Sequence, residues 1–167
     1  MDLRIRAARP EDAHDVASIY NEGIEERQAT FENRVHTAED FEGVLGDPGR
    51  RPFLVAEEDG RVIGWARVLA YSDKDYYAGV GEASVYVERE SRGLGVGGRL
   101  LAELAREAER RGYWKLVGLI FPENRPSVGL LRSQGYSEVG VYRRHGRMDG
   151  RWRDVLLVER RLGEAAD

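Results

Sequence analysis

Between Gly81 and Arg111 the chain reads GEASVYVERESRGLGVGGRLLAELAREAERR, a strand, a glycine run and a helix in direct succession. Ala83 to Val87 gather β-branched and aromatic residues with no Gly or Pro, the composition of a strand. Arg92-Gly93-Leu94-Gly95-Val96-Gly97-Gly98 follows. Beyond it Val96, Leu100, Leu101, Leu104, Ala105 and Ala108 recur on one helical stripe. A helix start leaves backbone N–H groups unpaired at the positive end of the helix dipole, and residues without side chains let an anion reach them. The unit is suited to holding a phosphate.

The remaining elements arrange themselves around it. Leu3 to Ala7 alternates as a first strand, and Pro10 with Glu11 and Asp12 opens a helix striped by Ala13, Val16, Ala17, Tyr20 and Ile24. Glu25 to His36 reads as irregular. Thr37 and Asp40 fit a capping box for a short helix bearing Phe41, Val44 and Leu45. Pro52–Glu58 and Arg61–Ala70 form a hairpin about Asp59-Gly60, and a tyrosine-rich loop from Tyr71 to Val80 leads to the central strand. Gly112 stops the long helix, Trp114–Phe121 is a strand, and Pro126–Gln134 a short helix ended by Gly135. Strands Tyr136–Tyr142 and Asp154–Arg161 close the chain around Asp149-Gly150. The order βααβββαβαββ predicts an α/β fold, a mixed sheet with helices on both faces. It forms a single domain over residues 1–162, and 163–167 read as a frayed tail.

With 167 residues the chain has room for one domain with a proper core. A formal charge of −4 gives no basic field to attract nucleic acid. There is no cysteine, which excludes thiol nucleophiles and thiolate metal sites and fits a reducing, cytoplasmic setting. His14, His36 and His145 show no ligand spacing, so no metal is expected. No apolar run approaches membrane-spanning length, and the first ten residues are too charged for a signal peptide core. No membrane partner is expected.

Gly93-x-Gly95-x-x-Gly98 matches the dinucleotide fingerprint literally. That reading also needs an acidic residue at the end of the next strand, and Trp114 to Phe121 contains none. A nucleotide-hydrolase loop needs Gly-Lys-Ser/Thr, which Gly97-Gly98-Arg99-Leu100 does not supply. The same residues fit Arg-x-x-Gly-x-Gly, from Arg92 to Gly97. Asn124-x-x-Ser127, Leu130 and Gly135-Tyr136 follow in order. Together these segments resemble the GNAT superfamily of N-acetyltransferases across nearly the whole chain. Further segments narrow the resemblance: Ile19 to Glu22, Ala29 to Glu32, Glu82-x-Ser84-Val85-Tyr86-Val87 and Asp149 to Asp154. They are similar to the phosphinothricin N-acetyltransferase branch, and Phe121 to Asn124 with His145-Gly146 leans toward enzymes that acetylate arsinothricin.

The resemblance implies a GNAT-like fold, acetyl-CoA as co-substrate and a small-molecule amine as acceptor. The acceptor would be an amino-acid analogue of the phosphinothricin, arsinothricin or methionine sulfoximine type, with resistance or detoxification as the role. It implies a homodimer. The coenzyme would lie against Arg92, Gly93, Leu94, Gly95, Val96, Gly97 and Gly98, with Val85, Tyr86 and Val87 offering main chain and Asn124 and Ser127 reaching its pantetheine side. Taken alone, Asn124 reads equally well as a helix cap. A protonated amine cannot attack a thioester, so a base is required. Glu82 is the candidate, working through water. Its plain reading is a solvated strand-end glutamate. An oxyanion is best met by preorganised N–H donors, here the backbone of Val85 to Val87 on a strand splayed by a bulge.

The tyrosine many members place seven residues after the Asn is Leu131 here, so the acid for the departing thiolate stays open between Tyr86, Tyr136 and solvent. Phe31, Lys74, Glu82, Ala83 and Ser84 are the candidate substrate residues. The branch leads one to expect an arginine in the Tyr71–Tyr77 loop, which offers only Lys74. Arg143, Arg144 and His145 are further candidates for anion contact. Trp152 is expected to pack, in the pocket wall or a dimer core. The alternatives are acetylation of a protein N-terminus or another amine, a silent acyl-CoA-binding module, and a nicotinamide-binding oxidoreductase.

Overall fold

The computed structural model describes residues 2–167; Met1, the first residue of the expected domain, lies outside the described residues. Seven strands form one sheet in the order β1-β2-β3-β4-β5-β7-β6. They are β1 (Leu3–Ala7), β2 (Phe53–Glu58), β3 (Arg61–Ala70), β4 (Val80–Val87), β5 (Lys115–Ile120), β6 (Ser137–Met148) and β7 (Arg151–Arg161). All neighbours are antiparallel except β4 and β5. The expected mixed sheet is therefore present, with its parallel pair at the centre.

Helices cover both faces. On one side α3 (Val96–Arg110) and α4 (Arg125–Ser133) bury Leu100, Leu101, Leu104, Ala105 and Leu131 against Ala66, Val68, Leu116 and Val158. On the other, α1 (Ala13–Glu25) and α2 (Glu39–Gly46) enclose Val16, Tyr20, Phe41 and Leu45 with Phe53, Val55 and Trp65. The Trp65 indole N–H, fully buried, donates to Val16 O at 3.1 Å, which satisfies its one donor.

Turn chemistry follows the sequence. Asp59 and Gly60 have φ of 49° and 80°, and Asp149 and Gly150 of 52° and 75°. Both are the left-handed pairs that two-residue hairpins require. Pro10 begins a 3-10 turn, Pro10–Asp12, ahead of α1. Half of the expected capping box forms: Thr37 N donates to Asp40 Oδ2 at 2.9 Å, but no side chain caps α2. Of the helix's apolar residues, Phe41 and Leu45 are buried and Val44 faces solvent.

The closing strands run longer than their sequence suggested, to Met148 and from Arg151. Arginine and glycine dilute the alternation from Arg143 to Arg153, yet pairing to the hairpin tip continues across a register shift between Tyr142 and Gly146. The tail expected to fray carries a 3-10 turn at Gly163–Ala166, with Ala165 N on Leu162 O at 3.1 Å. No helix among the described residues is long and apolar enough to cross a membrane.

Candidate active site

The site begins where β4 loses a neighbour. β4 pairs with β5 only over Val80 to Glu82, against Lys115 to Val117. β5 then continues along β7 through Ile120. From Ala83 to Val87 the β4 edge facing β5 therefore has no strand beside it. The register with β3 runs unbroken from Gly64↔Val87 to Ala70↔Gly81, so the splay comes from divergence of β5 and not from the expected bulge in β4.

Two cavities open on this gap. One, of about 450 Å³, is lined by Val85, Tyr86, Val87, Arg92, Gly93, Gly95, Val96, Gly97, Gly98, Asn124, Ser127 and Leu130 among others. Gly93 and Gly95 take φ of 78° and 84°, and nothing lies within 4 Å of where a Cβ would stand on either. Gly97 is tight: a Cβ there would meet Leu130 Cδ2 at 2.9 Å, so its bareness lets α3 and α4 approach. No side chain caps α3, and the N–H groups of Val96, Gly97 and Gly98 precede its first intrahelical bonds. Donors, a helix dipole and open space converge, which is what a diphosphate needs. The residues fit the expected coenzyme.

Two expected contacts differ in detail. Leu94 turns outward and does not line the cavity. Arg92 stands at the rim with its guanidinium engaged, Nη1 on Glu26 at 2.7 and 2.9 Å and Nε on Val87 O at 3.0 Å. Asn124 caps α4 and borders the cavity. Its Oδ1 accepts from Ser127 N at 3.4 Å as the cap of α4, and its Nδ2 donates to Gln28 O at 3.2 Å while it borders the cavity.

The second cavity, of about 460 Å³, lies on the α1–α2 side of the sheet. It is lined by Glu82, Ser84 and Tyr86 of β4, Arg67 and Leu69 of β3, Tyr20, Phe31, Leu119, Phe121 and His145 among others. Period two on β4 puts Glu82, Ser84 and Tyr86 into this space and Ala83, Val85 and Val87 against the α3 core. Ala83, expected to bind substrate, is thus no wall of this cavity. Tyr86 and Ala29 line both cavities, so the two meet there.

Glu82 is half-buried. Burial raises its carboxyl above the ordinary glutamate value, and the Arg67 charge holds part of that shift back. Burial likewise pushes the Tyr86 phenol well above its usual value, so it stays protonated at neutral pH. Tyr136 is buried in the α3 core away from both cavities, its hydroxyl without a partner and its pKa pushed up to about 12 by burial. It is therefore removed from the candidates for the acid. Phe31 stands edge-on to Phe121 at 4.8 Å, and Gly146 leaves room for it, since a Cβ there would lie 2.5 Å from Phe31 Cζ.

The tyrosine-rich loop does not reach this cavity. Lys74 is exposed at the start of a 3-10 turn, Asp75–Tyr77, and Tyr71 and Tyr76 meet Tyr77 edge to face instead. Gly79 is pressed against the Trp114 ring, where no side chain would fit. Of the three hairpin cations, only His145 lines the cavity, stacked on Tyr142 at 4.5 Å. Arg143 pairs with Asp154 at 3.5 Å, and the Arg144 N–H donates to Asp154 Oδ1 at 2.8 Å. Trp152 does not line the cavity and lies exposed on this chain under Arg147, whose guanidinium is 5.0 Å from its ring. The residues that sequence reading missed are Tyr20, Arg67, Leu69, Leu119 and Phe121. The signal for Arg67 was present: Trp65, Arg67 and Leu69 alternate on one face, setting a charge among apolar neighbours. No group of three or more potential metal ligands occurs among the described residues.

A family model described as an acetyltransferase (GNAT) domain matches residues 5–157. A phosphinothricin N-acetyltransferase of Streptomyces viridochromogenes is 32% identical over 159 residues, covering 95% of this chain and 87% of the relative. A solved GNAT superfamily phosphinothricin acetyltransferase from Sinorhizobium meliloti, in complex with acetyl-CoA, superposes with a TM-score of 0.88 at 30% identity, covering 98% of this chain and 90% of that one. A ribosomal-protein-alanine N-acetyltransferase from Brucella melitensis superposes with a TM-score of 0.90 at 35% identity, covering 95% and 99%.

Proposed function

The chain belongs to the GNAT acetyltransferase family, and on that premise we propose that it acetylates the α-amino group of a small amino-acid analogue of the phosphinothricin type. The observation that carries the proposal is the meeting of two cavities at Tyr86, beside the open edge of β4. One is walled by glycine and helix N–H groups, the other by a half-buried carboxylate. The relative from Streptomyces viridochromogenes supports this acceptor class.

Acetyl-CoA supplies the activated acetyl group as a thioester. Val96, Gly97 and Gly98 would donate to its diphosphate, and Asn124 and Ser127 border its approach. Glu82 takes the proton of the incoming ammonium through water, because its carboxylate faces the acceptor cavity. Its raised pKa brings it nearer to the working pH and makes it a better acceptor than an exposed glutamate. Main-chain N–H groups on the open edge of Val85 to Val87 meet the developing oxyanion, fixed in place before reaction. Tyr86 borders both cavities and its phenol is protonated, so it would give a proton to the leaving thiolate. Phe31 and Phe121, packed edge to face, give the acceptor side an apolar wall.

We place this activity in detoxification, with arsinothricin as a further acceptor, in a cytoplasmic homodimer. Val139, Val141, Tyr142 and Trp152, exposed along β6 and β7, support self-association. The Brucella melitensis structure favours a second reading, acetylation of a protein N-terminal alanine. Thiol release from acetyl-CoA measured with phosphinothricin, methionine sulfoximine and an Ala-initiated peptide separates the two. Turnover on the analogues is expected. Turnover on the peptide alone would overturn the proposal.

A further inference from the structure

Arg67 holds its charge without a direct ion pair. Its guanidinium carbon lies 5.4 Å from the Trp65 ring centre, 5.6 Å from Phe41 and 5.7 Å from Phe53. Its Nε is buried without a hydrogen-bond partner. No side-chain hydrogen bond steadies its charged form; Tyr20, Tyr86 and Glu82 act on it only from a distance. Other arginines of this chain show what a satisfied one looks like. Arg6 grips Asp12 with both Nη atoms at 2.8 and 2.9 Å, and Arg61 grips Glu88 at 2.5 and 2.8 Å. A partly buried guanidinium cannot shed its proton, and the unpaired Nε beside three aromatic rings leaves hydrogen-bonding capacity unused.

The one open side is the acceptor cavity, whose wall Arg67 forms together with Leu69, Glu82 and Ser84. Arg67 sits directly opposite Ser84 across the β3–β4 pair, and Glu82 is one pleat further along the same face. A base and a cation are thus held at diagonal positions of neighbouring strands on one sheet face. We propose that Arg67 is the specificity-determining residue of this site, selecting amines that carry an anionic group by binding its oxygens. The inference rests on the reading that the Glu82 cavity takes the acceptor amine. It replaces the expected loop cation with one on a strand, whose aromatic cage fixes the fork before the acceptor arrives.

The anionic oxygens can come from an acceptor's carboxylate or from its tail group, and the test separates them. Steady-state acetylation is measured for wild type, Arg67→Met and Arg67→Lys with phosphinothricin, its α-carboxamide, methionine and methioninamide. Equilibrium binding of phosphinothricin without acetyl-CoA is measured beside it. For Arg67→Met the expected result is a loss of about a hundredfold in kcat/KM on the acceptors whose anion meets Arg67, chiefly in KM, and less than threefold on methioninamide. Loss on phosphinothricin and methionine alone assigns the carboxylate; loss on phosphinothricin and its carboxamide alone assigns the tail. Acetyl-CoA affinity stays unchanged and reports the fold. If Arg67→Met does not fold, Arg67→Lys carries the test, since a point charge without the fork is expected to show the same selective loss at smaller size.

Equal losses on all four acceptors, with the acid limb of the pH profile moved upward, would show that Arg67 serves only Glu82 and would overturn the inference. Undiminished phosphinothricin binding by Arg67→Met would overturn it as well, whether or not the enzyme turns over. Should wild type bind phosphinothricin through Arg67 yet acetylate none of the four, the proposed acceptor class fails and the anion site stands.

Discussion

Glu82 and Arg67 share one cavity without an ion pair, and their separation sets the chemistry of the site. A carboxylate locked to a guanidinium would be a poor base; one raised by burial and only partly held down by a nearby cation keeps its affinity for a proton. Glu82→Gln keeps the shape and removes the base, so kcat is expected to fall by about a hundredfold to ten-thousandfold while acetyl-CoA affinity holds. Stopped-flow or thiol-release kinetics with a coenzyme titration checks both numbers. Glu82 accepts a proton only when ionised, and its pKa is raised. The acid limb of kcat/KM is therefore expected above the ordinary glutamate range, with activity lost as pH falls through it. Tyr136 lies outside both cavities, so Tyr136→Phe is expected to leave turnover within about twofold.

At the scale of elements, the glycine loop and the helix it starts were legible in the sequence because each signal is local. Gly95 has no Cβ to oppose φ of 84°, and Val96 to Ala108 carry their stripe within fifteen residues. Gly95→Ala is expected to cost roughly 1 kcal/mol of stability through backbone strain. It should weaken acetyl-CoA binding more than it weakens acceptor binding, as calorimetry on both ligands would show. The junction of β1 with α1 was not legible. Arg6 and Asp12 are ordinary charges in sequence, yet they meet in the interior. Burial alone would raise the Asp12 carboxyl, but the Arg6 hydrogen bonds and the Arg9 N–H bring it below its ordinary value. A depressed carboxylate contributes its stability above the unfolded pKa and loses it as pH falls through the folded one. Acid unfolding is accordingly expected to be less steep in Asp12→Ala than in wild type. At neutral pH that variant should be about 3 kcal/mol less stable, because Arg6 is left buried with Glu57 alone.

For the whole molecule, the acceptor cavity gathers residues from β3, β4, β5, β6 and the segment after α1, which lie far apart in sequence. Position along the chain pointed to Lys74, the only cation of its loop. The fold instead keeps that loop out of the cavity and brings Arg67 in from the strand before it. Period two marks Arg67 as a charge on an apolar face, but which face closes a cavity depends on how far β5 swings from β4. Tertiary divergence of that kind has no local signature. If the two cavities hold two substrates, acetyl-CoA at a hundred times its Kd is expected to add about 2.7 kcal/mol. That raises Tm by roughly 5–10 °C, whereas NAD(H) gives no shift. Differential scanning calorimetry measures it.

The central claim is that coenzyme and amine occupy separate cavities that meet at Tyr86. The most direct measurement is a crystal structure of Glu82→Gln with acetyl-CoA and phosphinothricin bound. The account expects the diphosphate on the N–H groups of Val96 to Gly98 and the amine within direct or one-water reach of residue 82. A coenzyme lodged away from the glycine loop, or an amine on the far side of the sheet from residue 82, would contradict it.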